Sequence, residues 1–148
     1  MNSIEIATTA LREWESHDVD RVLALLSINF VSRGLLPQPI NKAQYSDFMK
    51  SMIRAFPDWS FNAHILHEHS LGVQERSVHI ITQVTGTHTG DLVLSTLPII
   101  LPTGTKIALP PRQMEYFVKG ELITAITATF SPNCLVEILA QLGMKLPR

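Results

Sequence analysis

The chain has 148 residues, the size of one domain, and needs neither disulfides nor metals to bury a core. Its net charge is −1 and it carries no block of Lys or Arg, which excludes the electrostatic footprint of a nucleic-acid binder or a polybasic membrane patch. Cys134 is the only cysteine, so an intrachain disulfide and a cysteine-rich zinc site are both excluded.

The start, MNSIEIATTALREWES, is acidic and amphipathic, unlike a signal peptide. Within it Ile4, Ala7, Leu11 and Trp14 recur at three- and four-residue spacing, the pattern of a helix with one apolar face. Ser16-His17-Asp18 breaks that pattern, and Asp18 caps a second helix carrying Val22, Leu23, Leu25 and Leu26. FVSRGLLPQPI reads as a short extended piece followed by a proline-rich loop. Asn41 caps a third helix, with Tyr45, Phe48, Met49, Met52, Ile53 and Phe56 on its buried side, and Pro57 stops it.

After Pro57 the residues become β-branched and apolar. SFNAHILHEHSLGV, RSVHIITQVTGTH and LVLSTLPIIL read as extended segments, and PTGTK as a turn. The run LVLSTLPIILP is too short to cross a bilayer and is broken by prolines, so a soluble cytoplasmic protein is expected. IALPPRQMEYFVKG and ELITAITATF form a hairpin through Lys119-Gly120, and CLVEILAQLG is a short helix stopped by Gly143. Helices followed by consecutive strands predict an α+β fold with a mostly antiparallel sheet, one domain over 1–148.

Several landmarks in this order resemble the SnoaL-like branch of the nuclear-transport-factor-2-like superfamily. They are ALREWESHDVDRVLALL, AFPDW at 55–59, TGTHTG at 85–90, PTGTKI at 102–107, the glycine hairpin at 119–120 and ILAQLGMKLP at 138–147. The resemblance implies a cone: a strongly curved antiparallel sheet around a pocket, with N-terminal helices closing it and a short C-terminal helix. It also implies homodimers through the sheet and, in some members, polyketide cyclases that close a ring by an aldol step. The cyclases' aspartate before the last helix has no counterpart here, because TFSPNC, with Ser131 and Cys134, holds no carboxylate.

An aldol-type reaction needs a group to take a proton beside a carbonyl and donors for the enolate oxygen. His88 and Glu115 are the candidate catalytic residues. His88 titrates near neutrality, the resemblance sets it at the mouth end of a central strand, and Glu115 would become a base in an apolar pocket. His88 can equally be a polar strand end, and Glu115 an exposed residue on the outer sheet face. Gln83, Arg112, Trp59, Phe117 and Trp14 are candidates for binding substrate. Asp58 and Trp59 also suit a structural corner. His64, His67 and His69 invite a metal reading, with His79 on the next strand. On a regular strand His67 and His69 share a face while His64 and Glu68 do not, which is half of a zinc site, and no metal or other cofactor is expected. Cys134 is either a reactive thiol at a helix N-terminus or a buried inert one.

Two further classes stand beside the enzyme: a carrier of an apolar metabolite, and an interaction module using the outer sheet face. An apolar pocket with two inward titratable groups favours the enzyme, a dry one with none the carrier, and a filled cone the module.

Overall fold

The structure, a computed structural model, describes residues 1–95 and 97–144. Thr96 and the end of the ILAQLGMKLP stretch lie outside the described residues. Helix α1 (Ser3–Glu15) begins where the Asn2 side chain accepts from the Glu5 N–H. His17 turns the chain with a φ of 66°, and Asp18 caps α2 (Val19–Ala24) by accepting from the Arg21 N–H. The second helix stops short of the expected Leu25 and Leu26. Leu26 instead opens β1 (Leu26–Arg33), so the extended piece foreseen there is a full strand.

The bridge strand β2 (Ile40–Asn41) leads into α3 (Lys42–Ala55), where Asn41 and Gln44 form the two reciprocal bonds of a capping box. The remaining elements are β3 (His64–Gly72), β4 (Glu75–Thr82), β5 (Thr85–Thr87), β6 (Lys106–Ala108), β7 (Arg112–Lys119), β8 (Leu122–Ala128) and α4 (Cys134–Gln141). Helix α4 ends in a left-handed Gly143, with the Met144 N–H bonded to the Leu139 carbonyl and the Gly143 N–H to that of Ala140.

Six strands form one sheet in the order β2-β1-β8-β7-β4-β3. All neighbours are antiparallel except β1 and β8. Register shifts interrupt the β1–β8, β3–β4 and β7–β8 ladders, and such bulges bend a sheet. The result is a curved, open sheet wrapped on α1 and α3, which is the α+β cone expected from the sequence. Val78, Ile80, Met114, Tyr116, Val118, Ile123 and Ile126 are buried on its inner face. Ile6, Ala7, Ala10 and Leu11 of α1 and Phe48, Met49 and Met52 of α3 complete the core.

Two extended segments differ from expectation. LVLSTLPIIL forms no strand among its described residues, only the isolated bridge Leu92↔Ile100. Its apolar, β-branched residues mimic a strand, but Pro98 has no N–H to donate to a ladder. RSVHIITQVTGTH is not one strand either: β4 ends at Thr82, and Thr85–Thr87 pair with β6 in a separate two-stranded ribbon. His88 therefore follows a short ribbon strand and does not end a central one.

Candidate functional site

The inner face of the cone is aromatic because α1, α3 and the segment after Pro57 each turn rings toward the same place. Trp14 comes from the last turn of α1, and Tyr45 and Phe48 from α3. Trp59 and Phe61 alternate on the extended segment, and Phe130 follows β8. These six line a cavity of about 10 Å³, together with Met114 and Cys134 among others. That is at the limit of a single water. Trp14 meets Phe61 edge-on at 5.2 Å and Tyr45 at 5.8 Å, and lies 5.6 Å from Trp59 at a tilt of 31°. Such offset and edge contacts are the favoured ones for aromatic rings.

The chemistry of this lining lies in its donors. The indole Nε1 atoms of Trp14 and Trp59 are both buried with no hydrogen-bond partner among the described residues. An unpaired buried donor costs about 1–3 kcal/mol. Burial pushes the Tyr45 phenol above its ordinary pKa, and burial, then Glu137, does the same to the Cys134 thiol. Both are neutral at physiological pH, so Cys134 is no activated nucleophile despite opening α4. No carboxylate belongs to the described lining.

His88 stands one ring behind the cavity. It is fully buried, its ring lies 5.4 Å from Phe56, and Phe56 lies 6.0 Å from Trp59. The Thr103 N–H donates to His88 Nδ1 at 3.2 Å, and the Thr103 hydroxyl lies 2.9 Å from the same atom. That arrangement leaves the proton on Nε2, which is buried without a partner among the described residues. Burial lowers the His88 pKa, opposed by the Gly90 backbone and Asp91. The stretch around it is tied down on both sides. The Thr89 and Gly90 N–H groups share the Ala55 carbonyl at the end of α3, and the Gly104 N–H donates to the His88 carbonyl. Asp58 accepts from the Thr87 N–H at 2.6 Å and from its hydroxyl at 2.7 Å.

The other sequence candidates lie apart from the cavity. Met114 and Tyr116 are buried under the helices, and Glu115 alternates onto the outer face, where it meets His79 at 3.1 Å. Phe117 shares that outer face, opposite Ser77 and Ala125. Arg112 is bound by Glu137 at 2.6 Å. Gln83 is exposed, its N–H donating to the Phe61 carbonyl. Of the residues named from sequence, Trp14 and Trp59 come together in the cavity, His88 stands behind Phe56, and Glu115 is separated from all three by the sheet.

Sequence reasoning did not single out Tyr45, Phe61 or Phe130 as lining residues. Trp59 and Phe61, two apart in an extended segment, carried a signal for one of them. A larger open groove of about 510 Å³ lies beside the N-terminus of α1, lined by Ser3, Glu68, Arg76 and Glu121 among others. Ser3 hydrogen-bonds to Glu68 and the Met1 amine pairs with Glu121, and none of the buried unpartnered polar atoms among the described residues belongs to the groove's lining.

Solved structures share this fold. A "putative polyketide cyclase" from Pseudomonas putida KT2440 matches with a TM-score of 0.66 at 17% identity, covering 88% of this chain and 92% of that one. AclR from Streptomyces galilaeus, described as "a putative hydroxylase", matches at 0.65 and 18% identity, over 97% and 81%. IdmH from Streptomyces antibioticus, "a putative polyketide cyclase", matches at 0.61 and 17% identity, over 95% and 97%. No curated protein matches the sequence. The model of the SnoaL-like polyketide cyclase family matches residues 4–121, most of the chain, and the chain belongs to that family.

Proposed function

We propose that this protein is a cofactor-independent enzyme of the cyclase or isomerase type, acting on a small apolar carbonyl compound inside the aromatic cone. The observation that carries this reading is the pair of buried, unpartnered indole donors, Trp14 and Trp59, on one cavity. A carbonyl oxygen between them would accept both hydrogen bonds, and an enolate oxygen would accept them more strongly. The surrounding rings supply the apolar contact for the rest of the ligand.

His88 is the proton carrier in this proposal. In the resting structure Nδ1 accepts from the Thr103 N–H, so Nε2 becomes a base only when that N–H turns away and the Thr103 hydroxyl accepts from Nδ1–H instead. The substrate's α-proton then moves to Nε2 and the electron pair to the carbonyl oxygen. Burial disfavours the imidazolium, which drives the proton back to carbon. The cavity is small, so entry requires Phe56 and the neighbouring rings to swing aside. A homodimer through the outer sheet face belongs to the same reading, supported by Ile81 and Phe117, half-buried in the single chain. Sedimentation of the full chain measures it.

A second reading, a carrier of an apolar metabolite, is favoured by one observation: the lining holds no carboxylate and no free base among the described residues. Proton exchange separates the two. In D2O with acetonaphthone as probe, an enzyme of this type catalyses deuterium uptake at the methyl beside the carbonyl, and His88→Gln slows it at least about tenfold. Binding without catalysed exchange establishes the carrier.

A further inference from the structure

A second group of side chains gathers on the outer face of the sheet, away from the cone. His67 and His69 are two apart on β3 and so share a face. The antiparallel ladder sets His79 of β4 directly opposite His67, and Glu115 of β7 directly opposite His79. The ligating nitrogens of the three histidines lie within 4.8 Å of one another. The His67 and His79 rings stack at 4.3 Å, and the His69 ring stands edge-on to both, at 4.6 Å and 5.1 Å.

The fourth position is also furnished. Glu115 Oε2 lies 3.1 Å from His79 Nε2. Two ligands of one tetrahedral zinc stand about 3.3 Å apart, given Zn–N and Zn–O bonds of about 2.0–2.2 Å. That pair is therefore already spaced for a shared ion. The Gln113 side-chain amide lies with its Nε2 2.8 Å from His79 Nδ1. With its oxygen turned to that atom it accepts from Nδ1–H, which fixes the ring and frees the Nε2 lone pair for a metal. His67 and His69 are exposed, so their rings are free to turn, and His67 must leave its stack on His79 for both lone pairs to meet one ion.

We propose that His67, His69 and His79, completed by Glu115, form a binding site for a divalent first-row transition metal of the zinc or copper class. Three imidazoles and a carboxylate suit such ions and not calcium or magnesium, which take oxygen ligands. Four protein donors make a closed site, which is structural and not catalytic. Its effect is mechanical: β3 is exposed along its whole length at the sheet edge, and the ion ties it to β4 and β7.

The test is titration of the purified full chain with Zn2+ against a chromophoric chelator, with Co2+ as a spectroscopic stand-in. The site predicts one ion per chain, the intense visible bands of tetrahedral Co2+, and a higher thermal midpoint with Zn2+. His67→Gln and His69→Gln, at exposed positions that leave the fold intact, each weaken binding by about 100-fold or more. Glu115→Gln weakens it by about 10- to 100-fold or more, since partners outside the ligand set already carry that much. No stoichiometric binding overturns the proposal, as does binding that the histidine substitutions leave unchanged. One ion per two chains overturns it too, since the site is built within a single chain.

Discussion

The rings of Trp14 and Trp59 stand 5.6 Å apart, centre to centre, on the same cavity, and neither indole N–H has an acceptor among the described residues. Each unpaired buried donor opposes folding by about 1–3 kcal/mol. Replacing either Trp by Phe removes that cost along with part of the buried ring. The two changes offset, so Trp14→Phe and Trp59→Phe are expected to shift stability by under about 1.5 kcal/mol in urea unfolding. Losses of 3 kcal/mol or more, about the cost of losing a whole ring, would mean that the rings serve packing alone.

Gly90 makes the close approach that lets the TGTHTG stretch dock on α3. A Cβ there would meet the Arg54 carbonyl oxygen at 2.0 Å, whereas one on Gly104 meets nothing within 4 Å. Gly90→Ala must shift the backbone and break the bonds to the Ala55 carbonyl. It is expected to cost at least about 3 kcal/mol. Gly104→Ala costs about 1–2 kcal/mol, the strain of its left-handed φ of 70°. Chemical denaturation of the two variants measures the difference.

Asp58 carries a pH signature. Partial burial raises its pKa, but the Thr87 N–H and hydroxyl, with Lys106 nearby, outweigh that and hold it below the usual carboxylate value. A depressed carboxyl contributes stability above its unfolded pKa, about 3.9, and loses it as the pH falls through the folded one. Asp58→Asn is therefore less stable by about 1 kcal/mol at neutral pH, allowing for its exposure. The gap to the parent protein closes as the pH drops below about 3.9. Parallel unfolding curves at neutral and strongly acid pH check it.

His88 predicts a different acid response. Its folded pKa is lowered, so the unfolded chain takes up the proton first and stability falls as the pH drops through about 6.5 toward the folded value. His88→Phe keeps the ring against Phe56 and removes the titration. Its stability is expected to fall less steeply than the parent protein's across that window, His67 still contributing, measured by thermal midpoint against pH.

The helices and the central strands were legible because their signals are local. Asp18, Asn41, Pro57 and Gly143 each mark an element end by their own chemistry, and each stands at such an end in the structure. The start of β1 was not legible, because Leu25 and Leu26 fit an apolar helix face and an inward strand equally well. The aromatic cavity was half legible: Trp14 and Trp59 are large residues in recognisable motifs, while Phe130 joins them only through tertiary packing. The histidine cluster was hidden for a topological reason. Its third ligand comes from strand pairing, and the β3 bulge also places His64 opposite Ile81, on the face a regular strand would deny it.

In the proposed reaction the Trp14–Trp59 pair receives a carbonyl oxygen. Titration of the full chain with acetonaphthone and with ethylnaphthalene, followed by tryptophan fluorescence and native mass spectrometry, tests it directly. One ketone is expected per chain, bound about tenfold or more tighter than the hydrocarbon, as one hydrogen bond to a buried donor provides. In the Trp14→Phe/Trp59→Phe variant, read by mass spectrometry, that preference disappears while the hydrocarbon's affinity is little changed. Equal affinity for the two probes in the parent protein, or a ketone preference that survives in the variant, contradicts it.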